Sequence, residues 1–146
     1  MRKLTLTILL MLLLSFGLAA CGGGGDEPAD DGGDTTSTSV GDAANGERLF
    51  NETVIGPASA PGCITCHSLE PGVVLVGPSQ SDVGARAETT GPELGLTAEE
   101  YLRQSIVEPN AHIAEGFTEG VMYQNFGEEL TNTQINDLVA FMLTLK

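Results

Sequence analysis

Residues 63 to 67 read Cys63-Ile64-Thr65-Cys66-His67, the most informative stretch of the sequence. Two residues separate the cysteines, a spacing that lets the two thiols reach the two vinyl groups along one edge of a porphyrin. The histidine that follows at once can turn its imidazole toward the iron as the proximal ligand. C-x-x-C-H is a haem attachment signature. The sequence therefore predicts one covalently bound haem c.

Two other uses of closely spaced cysteines fit the chain less well. A zinc half-site needs a second pair of Cys or His residues at suitable spacing, which the sequence lacks. A thioredoxin-like dithiol belongs in a βαβ setting that the surrounding residues do not provide. The only other cysteine, Cys21, lies far upstream with a use of its own. The sequence therefore leaves no cysteine for a structural disulfide.

The first twenty residues have the features of an export signal. Arg2 and Lys3 precede an uncharged apolar run from Leu4 to Ala20, which indicates a secretory signal. The run ends in Leu18-Ala19-Ala20-Cys21, which resembles the lipobox of bacterial lipoproteins; that resemblance implies cleavage before Cys21 and acylation of its side chain. The alternative is an uncleaved anchor, since an apolar run of this length could nearly span a bilayer. Both readings place the remaining chain outside the cytoplasm.

Residues 22 to 40 are rich in Gly, Asp, Ser and Thr, with almost nothing apolar to bury. Such a composition predicts a disordered tether. For roughly 20 residues of Gly-rich coil the mean span is about 25 Å, which lets a small domain swing beside a membrane. The sequence thus predicts a signal peptide at 1–20, a lipidated cysteine with its tether at 21–40, and a folded domain at 41–146.

The charge balance narrows the choice of partners. After removal of the signal the chain keeps all 20 acidic side chains, and its basic side chains are Arg48, Arg86, Arg103 and Lys146. Four scattered cations cannot supply the footprint that a nucleic acid requires, so nucleic acid binding is excluded. A partner with a basic face is expected. The alternative is that the acidic excess only keeps an exported protein soluble.

Three helices are predicted within the folded domain. The first covers Asp42 to Asn51, where Gly46 permits close packing. The second covers Thr97 to about Val107, opened by a capping box with Glu100 and ended before Pro109. The third begins at Thr131, with Gln134 completing its capping box, and continues to the C-terminus. The Gly and Pro rich segments between them show no convincing strand pattern and are expected to be loops.

From Gly41 to the C-terminus the chain resembles a class I cytochrome c domain. It is similar in particular to the domain fused to subunit II of caa-type oxidases and to the small monohaem lipoprotein subunits of alternative complex III. The resemblance implies a small all-α fold whose first and last helices cross around one haem, with Phe50 and Phe141 near the contact. It rests on the haem motif and on the segments 41–50, Gly77-Pro78, Arg86-Ala87, 101–106 and 130–141.

The sixth iron ligand must come from Met122, Met142 or His112, the methionines and the second histidine that follow the signal. Met142 lies on the apolar stripe of the last helix, where methionine usually fills the core. His112 lies in a loop, where a solvated side chain is the common case. The family places its ligand loop just before the last helix, which implies Met122. The family commonly has proline after this methionine, whereas Tyr123 stands here.

The resemblance also implies roles for two residues around the haem. The carbonyl of Pro78 would accept the Nδ1 proton of His67 and strengthen it as an iron ligand. A plain turn is the alternative reading of Gly77-Pro78. Arg86 would lie near a haem propionate, with a solvated surface arginine as the alternative.

Ligation by His67 and Met122 would leave the iron no open position for a small-molecule substrate. The sequence therefore predicts an electron carrier of a respiratory or photosynthetic chain, not an enzyme, with a potential raised by the methionine. Expected partners are the membrane, through the lipid, and redox proteins, with alternative complex III and a terminal oxidase implied by the resemblance. A haem enzyme or gas sensor, and a binding module with a structural haem, remain the alternatives.

Overall fold

The computed structural model describes residues 41–146; the predicted export signal, Cys21 and the tether lie outside the described residues. Within this range the chain is mainly helical. Its α-helices are α1 (Ala43–Phe50), α2 (Val83–Glu93), α3 (Ala98–Val107), α4 (Phe126–Glu129) and α5 (Asn132–Thr144). Two short antiparallel strands, β1 (Val54–Ile55) and β2 (Ala60–Pro61), pair Val54 with Pro61 and Ile55 with Ala60. The all-α fold predicted from the sequence is confirmed.

The first and last helices cross, as the family resemblance implied. Helix α1 is capped by the Asp42 carboxylate, which accepts from the backbone amides of Ala44 and Asn45. The Asp42 amide in turn donates to the buried Asp137 carboxylate of α5 at 2.7 Å. Further along the crossing, the rings of Phe50 and Phe141 pack with centroids 5.6 Å apart. Both polar and apolar contacts therefore join the two ends of the domain.

Helices α3 and α5 begin where their capping boxes predict. The Thr97 hydroxyl accepts from the amide of Glu100, and the Glu100 carboxylate accepts from the amide of Thr97. Thr131 and Gln134 form the same reciprocal pair at the start of α5. Each box satisfies two backbone donors that the first turn of a helix leaves free. These helix predictions are confirmed.

The expectation of a loop between the haem motif and α3 is wrong for residues 83–93, which form α2. Its buried residues Val83, Gly84, Ala87 and Gly91 are mostly small, which makes its buried face hard to recognise in the sequence, and it has no side-chain cap. Instead, the backbone amides of Gly84 and Ala85 both donate to the carbonyl of Leu145 at the C-terminus. Small residues let this close approach occur, and Ala87 is fully buried. The helix is therefore specified by tertiary contacts.

The core draws buried side chains from all five helices and both short strands, around one side of a large cavity. Its largest fully buried side chains are Phe50, Leu102, Ile135, Leu138 and Val139. None of the helices within residues 41–146 has both the length and the apolar character needed to cross a membrane.

Candidate functional site

A cavity of about 450 Å³ opens between the helices and the C-x-x-C-H segment. Cys63, Cys66, His67 and Met122 all lie on its wall. Much of the remaining lining is apolar, and all five helices contribute to it; the apolar members include Phe50, Leu102, Ile106, Phe126, Leu138 and Met142. The structure thus brings the predicted thiols, histidine and methionine to the wall of one largely apolar cavity.

A single turn of 3₁₀ helix, Cys63–Thr65, positions the motif. The backbone amides of Cys66 and His67 both donate to the carbonyl of Cys63, at 3.1 and 2.9 Å. The turn is fixed from the other side by Gly62, whose amide donates to the carbonyl of Thr53 at 2.9 Å and whose carbonyl accepts the Thr65 hydroxyl. This winding directs both thiols and the imidazole into the cavity.

The two thiols are free and not joined in a disulfide. Burial raises the pKa of the Cys63 thiol to about 11, and the neighbouring Cys66 adds to the rise. A redox-active dithiol relies on the opposite shift, toward a thiolate at neutral pH. The environment of Cys63 therefore argues against the thioredoxin-like reading. Within residues 41–146 no group of three His, Cys, Asp or Glu side chains is placed to hold a metal ion.

His67 is held by the loop that follows it. Its Nδ1 lies 2.9 Å from the carbonyl oxygen of Pro78, the contact that the family resemblance implied. Burial lowers the pKa of His67, and the hydrogen bond with Pro78 opposes that shift. A neutral imidazole with Nδ1–H directed at a carbonyl leaves Nε2 as the nitrogen that can bind a metal.

Gly77 lies directly against the imidazole ring. A Cβ at this position would lie 2.8 Å from Nδ1 of His67 and closer still to Cε1. The Gly77 amide also donates to the carbonyl of Cys66 at 2.9 Å. The pair Gly77-Pro78 is therefore more than a turn. Its backbone bonds to Cys66 and His67, and Gly77 packs against the imidazole ring.

Met122 is half-buried at the end of a loop that is tied down at several points. The Gly120 amide donates to the Asn110 side chain at 3.0 Å, and Gly120 has a φ of 77°. After the methionine, the side-chain Nε2 of Gln124 donates to the carbonyl of Met122 at 2.5 Å. The methionine thus sits between two anchored positions.

Tyr123, the departure from the family pattern, also holds this loop. Its hydroxyl donates to the Glu129 carboxylate at 3.2 Å, and its ring meets that of Phe126 edge-on with centroids 5.0 Å apart. The other oxygen of Glu129 accepts from the Ala58 amide at 3.0 Å. Tyr123 therefore supplies by side-chain contacts some of the rigidity that a proline would supply by its ring.

The two other candidate ligands also line the cavity. Met142 is buried on α5, where it packs within the core. His112 is half-buried, and its ring lies edge-on to Tyr101 with centroids 5.7 Å apart. The cavity wall by itself therefore leaves the choice of Met122 as the sixth ligand a prediction.

Arg86 lies on the cavity wall at the second turn of α2. Its guanidinium donates to the carbonyl of Ser79 at 2.7 Å and forms an ion pair with Asp82. It is thus neither a free surface arginine nor a residue turned away from the site. Its predicted contact with a haem propionate stays a prediction.

A family model described as cytochrome c matches residues 43–146. The chain belongs to the cytochrome c family. No curated protein matches the chain. Membership of the family makes haem c the cofactor and haem-based electron transfer the general function, with redox proteins as partners. It also places the chain among proteins that typically carry electrons and do not act as enzymes.

The residues of the cavity fit a covalently bound haem. Two half-buried thiols lie at its wall beside an imidazole that Pro78 orients and whose pKa is lowered by burial. The apolar lining suits a macrocycle that must be kept from water. One polar group on the wall, Gln80, contacts His67, and sequence analysis missed this contact because the two residues are thirteen positions apart.

Proposed function

We propose that the domain is a single-haem electron carrier whose iron is held by His67 and Met122. The observation that carries the proposal is the placement of both side chains on the wall of one cavity that also holds the Cys63 and Cys66 thiols. Two protein ligands leave no position for a substrate. The alternative of a haem enzyme or gas sensor depends on a loosely held sixth ligand, and the anchors on both sides of Met122 disfavour it.

Each part of the cavity has a distinct task in this proposal. When bound, haem c supplies a one-electron iron couple. Cys63 and Cys66 retain it through thioether bonds, so that a small domain need not rely on packing alone. Pro78 fixes the tautomer of His67, and the thioether of Met122 favours the reduced state relative to a second histidine. The apolar wall keeps water from the iron.

Three variants test the choice of ligand. The ferric protein should show the weak far-red band of a sulfur-to-iron contact. Met122→Ala should abolish this band, whereas Met142→Leu and His112→Ala should keep it. Retention of the band in Met122→Ala would contradict the proposal, and its loss in either of the other two variants would reassign the ligand.

We further propose that the domain is exported and tethered by a lipid on Cys21. Support comes from the sequence: the apolar run, the small residues before Cys21 and the Gly and Asp rich segment after it. A bacterial lipoprotein cysteine carries more than one acyl chain, as stable anchoring requires. Residues 22–146 fused to a non-lipid signal peptide should be soluble and red. Recovery of that protein in the membrane fraction without partner proteins would count against the lipid.

The surface beside the haem motif supports a protein as redox partner. Residues 71–77 carry no charge, and Val74, Leu75 and Val76 are about half exposed. The end of this loop is fixed to the motif through the Gly77 amide and the Cys66 carbonyl. We infer that the partner docks on this apolar loop, while the acidic excess of the domain steers its approach. Leu75→Ser should slow electron exchange, whereas Leu94→Ser, on α2's exposed end, should not.

The resemblance to subunits of alternative complex III and of caa-type oxidases suggests the complexes in which the domain serves. We propose that it works as a tethered carrier or a docked subunit of a quinol-oxidising or oxygen-reducing complex. Purification of the lipoprotein in mild detergent, followed by identification of the proteins that accompany it, tests this assignment. Isolation of the lipoprotein without any other redox protein would contradict its role as a docked subunit.

A further inference from the structure

The side-chain amide of Gln80 lies against the imidazole of His67. Its Nε2 is 3.0 Å from His67 Nδ1, the same atom that lies 2.9 Å from the Pro78 carbonyl oxygen. Gln80 is only 9 % exposed. Its Oε1 is buried and has no hydrogen-bond partner among residues 41–146. Both ends of this amide therefore need an explanation.

The chemistry of His67 determines which end of the amide can face it. If Nε2 of the imidazole binds iron, the ring proton lies on Nδ1, which is then a donor. A Gln80 NH₂ group beside that proton would set donor against donor. The amide oxygen and nitrogen of glutamine are distinguished only by the hydrogen bonds they make. Reversing the amide puts Oε1 on Nδ1–H and gives the imidazole a second acceptor.

The backbone holds Gln80 firmly in this place. Its amide donates to the carbonyl of Ser68, the residue after His67, at 2.8 Å. Its own carbonyl accepts from the amide of Val83 at the start of α2, at 3.2 Å. These two backbone hydrogen bonds, one at the amide and one at the carbonyl of Gln80, hold its side chain next to the imidazole.

We propose that Gln80 is a positioning residue of the haem iron, whose Oε1 shares the Nδ1 proton of His67 with the carbonyl of Pro78. The inference rests on the proposed ligation of iron by His67. A second acceptor draws the proton away from the ring and makes Nε2 a stronger donor. A stronger donor favours ferric iron over ferrous iron, so Gln80 lowers the reduction potential of the domain.

Two substitutions at Gln80 should shift the potential in opposite directions. Gln80→Leu removes the acceptor at nearly equal volume, and the ratio of ferrous to ferric protein at a fixed ambient potential should rise about threefold or more. Gln80→Glu supplies a charged acceptor, and the same ratio should fall. The expected change is limited because the Pro78 carbonyl remains as an acceptor for the Nδ1 proton. Gln104 does not line the cavity, so the control Gln104→Leu should leave the ferrous-to-ferric ratio unaltered.

A second readout separates this role from a purely structural one. In the reduced protein, the Nδ1 proton of His67 should exchange with solvent faster in Gln80→Leu than in wild type, as followed by nuclear magnetic resonance. Unchanged potential and exchange in Gln80→Leu, or shifts of the same sign in Leu and Glu variants, would overturn the inference. The far-red sulfur-to-iron band should persist in every variant; its absence from wild-type protein would instead contradict the proposed ligation.

Discussion

Gly46 of α1 lies directly against the backbone of Asp137 in α5, with no room between the two helices for a side chain. A Cβ on Gly46 would overlap the Asp137 carbonyl group and lie 2.8 Å from the Cβ of Phe141. Helix α1 packs against α5 through this point, and α5 in turn supplies Leu138 and Met142 to the cavity wall. The helix crossing therefore sets the shape of the haem pocket.

Gly46→Ala should destabilise the domain although alanine is the better helix former. Alanine gains about 1 kcal/mol of helix propensity over glycine. Overlap with a neighbouring backbone costs about 1–3 kcal/mol or more when the helices cannot separate freely. We expect a net loss of about 1–2 kcal/mol in the free energy of unfolding, measured by denaturant titration. Ala44→Val, on the exposed side of α1, should cost less than about 1 kcal/mol; stabilisation by Gly46→Ala would refute the close crossing.

Gly77→Ala should impair the haem site. The added Cβ would displace the imidazole of His67 and break its hydrogen bond with Pro78. The fraction of protein that carries covalent haem should fall several-fold, as measured by the colour retained on the polypeptide after acid and organic extraction. Gly127→Ala is the matched control, because its Cβ would be 3.5 Å from the nearest atom, an ordinary contact. Equal haem content in both variants would argue against a role for the close contact of Gly77 with the His67 ring.

Tyr123→Phe should loosen the ligand loop without removing the ligand. The substitution deletes the hydroxyl that donates to Glu129 and keeps the ring against Phe126. The loop then keeps its ring contact but loses the link from its backbone segment to the Glu129 carboxylate. Cyanide, which must displace the sixth ligand, should therefore bind the ferric protein several-fold faster, as followed by stopped-flow absorption. The control is Tyr101→Phe, which removes the hydroxyl of the chain's other tyrosine and should leave the rate of cyanide binding unchanged. An unchanged rate in Tyr123→Phe would show that the Tyr123 hydroxyl does not restrain the loop.

The charge of the domain should govern its encounters with partners. From Gly41 onward there are 15 acidic and 4 basic side chains, and Arg48, Arg86 and Lys146 are each paired with a carboxylate. Electron exchange of the lipid-free domain should be faster with a basic redox protein than with an acidic one. The advantage should shrink with salt, as the Debye length falls from about 30 Å at 0.01 M to about 8 Å at 0.15 M. Stopped-flow rates that are equal, or that rise with salt for the basic partner, would leave the acidic surface as a solubility feature.

Local signals in the sequence predicted the helices that begin with a capping box. Thr97 with Glu100, and Thr131 with Gln134, encode their own hydrogen bonds within four residues, so the helix start can be read directly. Helix α2 has no such signal, because its first amides are satisfied by the carbonyl of Leu145, about sixty residues away. Its small residues are also common in loops, so the sequence alone does not show the contact with Leu145 that stabilises the helix.

The haem site likewise combines features that a few neighbouring residues encode with contacts between distant parts of the chain. The C-x-x-C-H motif carries its function within five residues, and the family resemblance adds the Pro78 contact. The contact of Gln80 with His67 and that of Tyr123 with Glu129 depend on how separate turns are brought together. A polar residue in a Pro and Ser rich segment, such as Gln80, is equally suited to a solvated loop. Only its burial beside the imidazole reveals a role.

The most direct test of the account is a redox titration of the wild-type haem, followed by absorption, with and without carbon monoxide. Carbon monoxide binds ferrous iron only where a coordination position is open, and its binding would raise the apparent potential by stabilising the reduced state. With His67 and Met122 both on the iron, we predict one reversible one-electron curve that carbon monoxide does not shift. Met122→Ala should bind the gas and shift upward. A carbon monoxide adduct and a raised potential in the wild-type protein would contradict the assignment of this domain as an electron carrier.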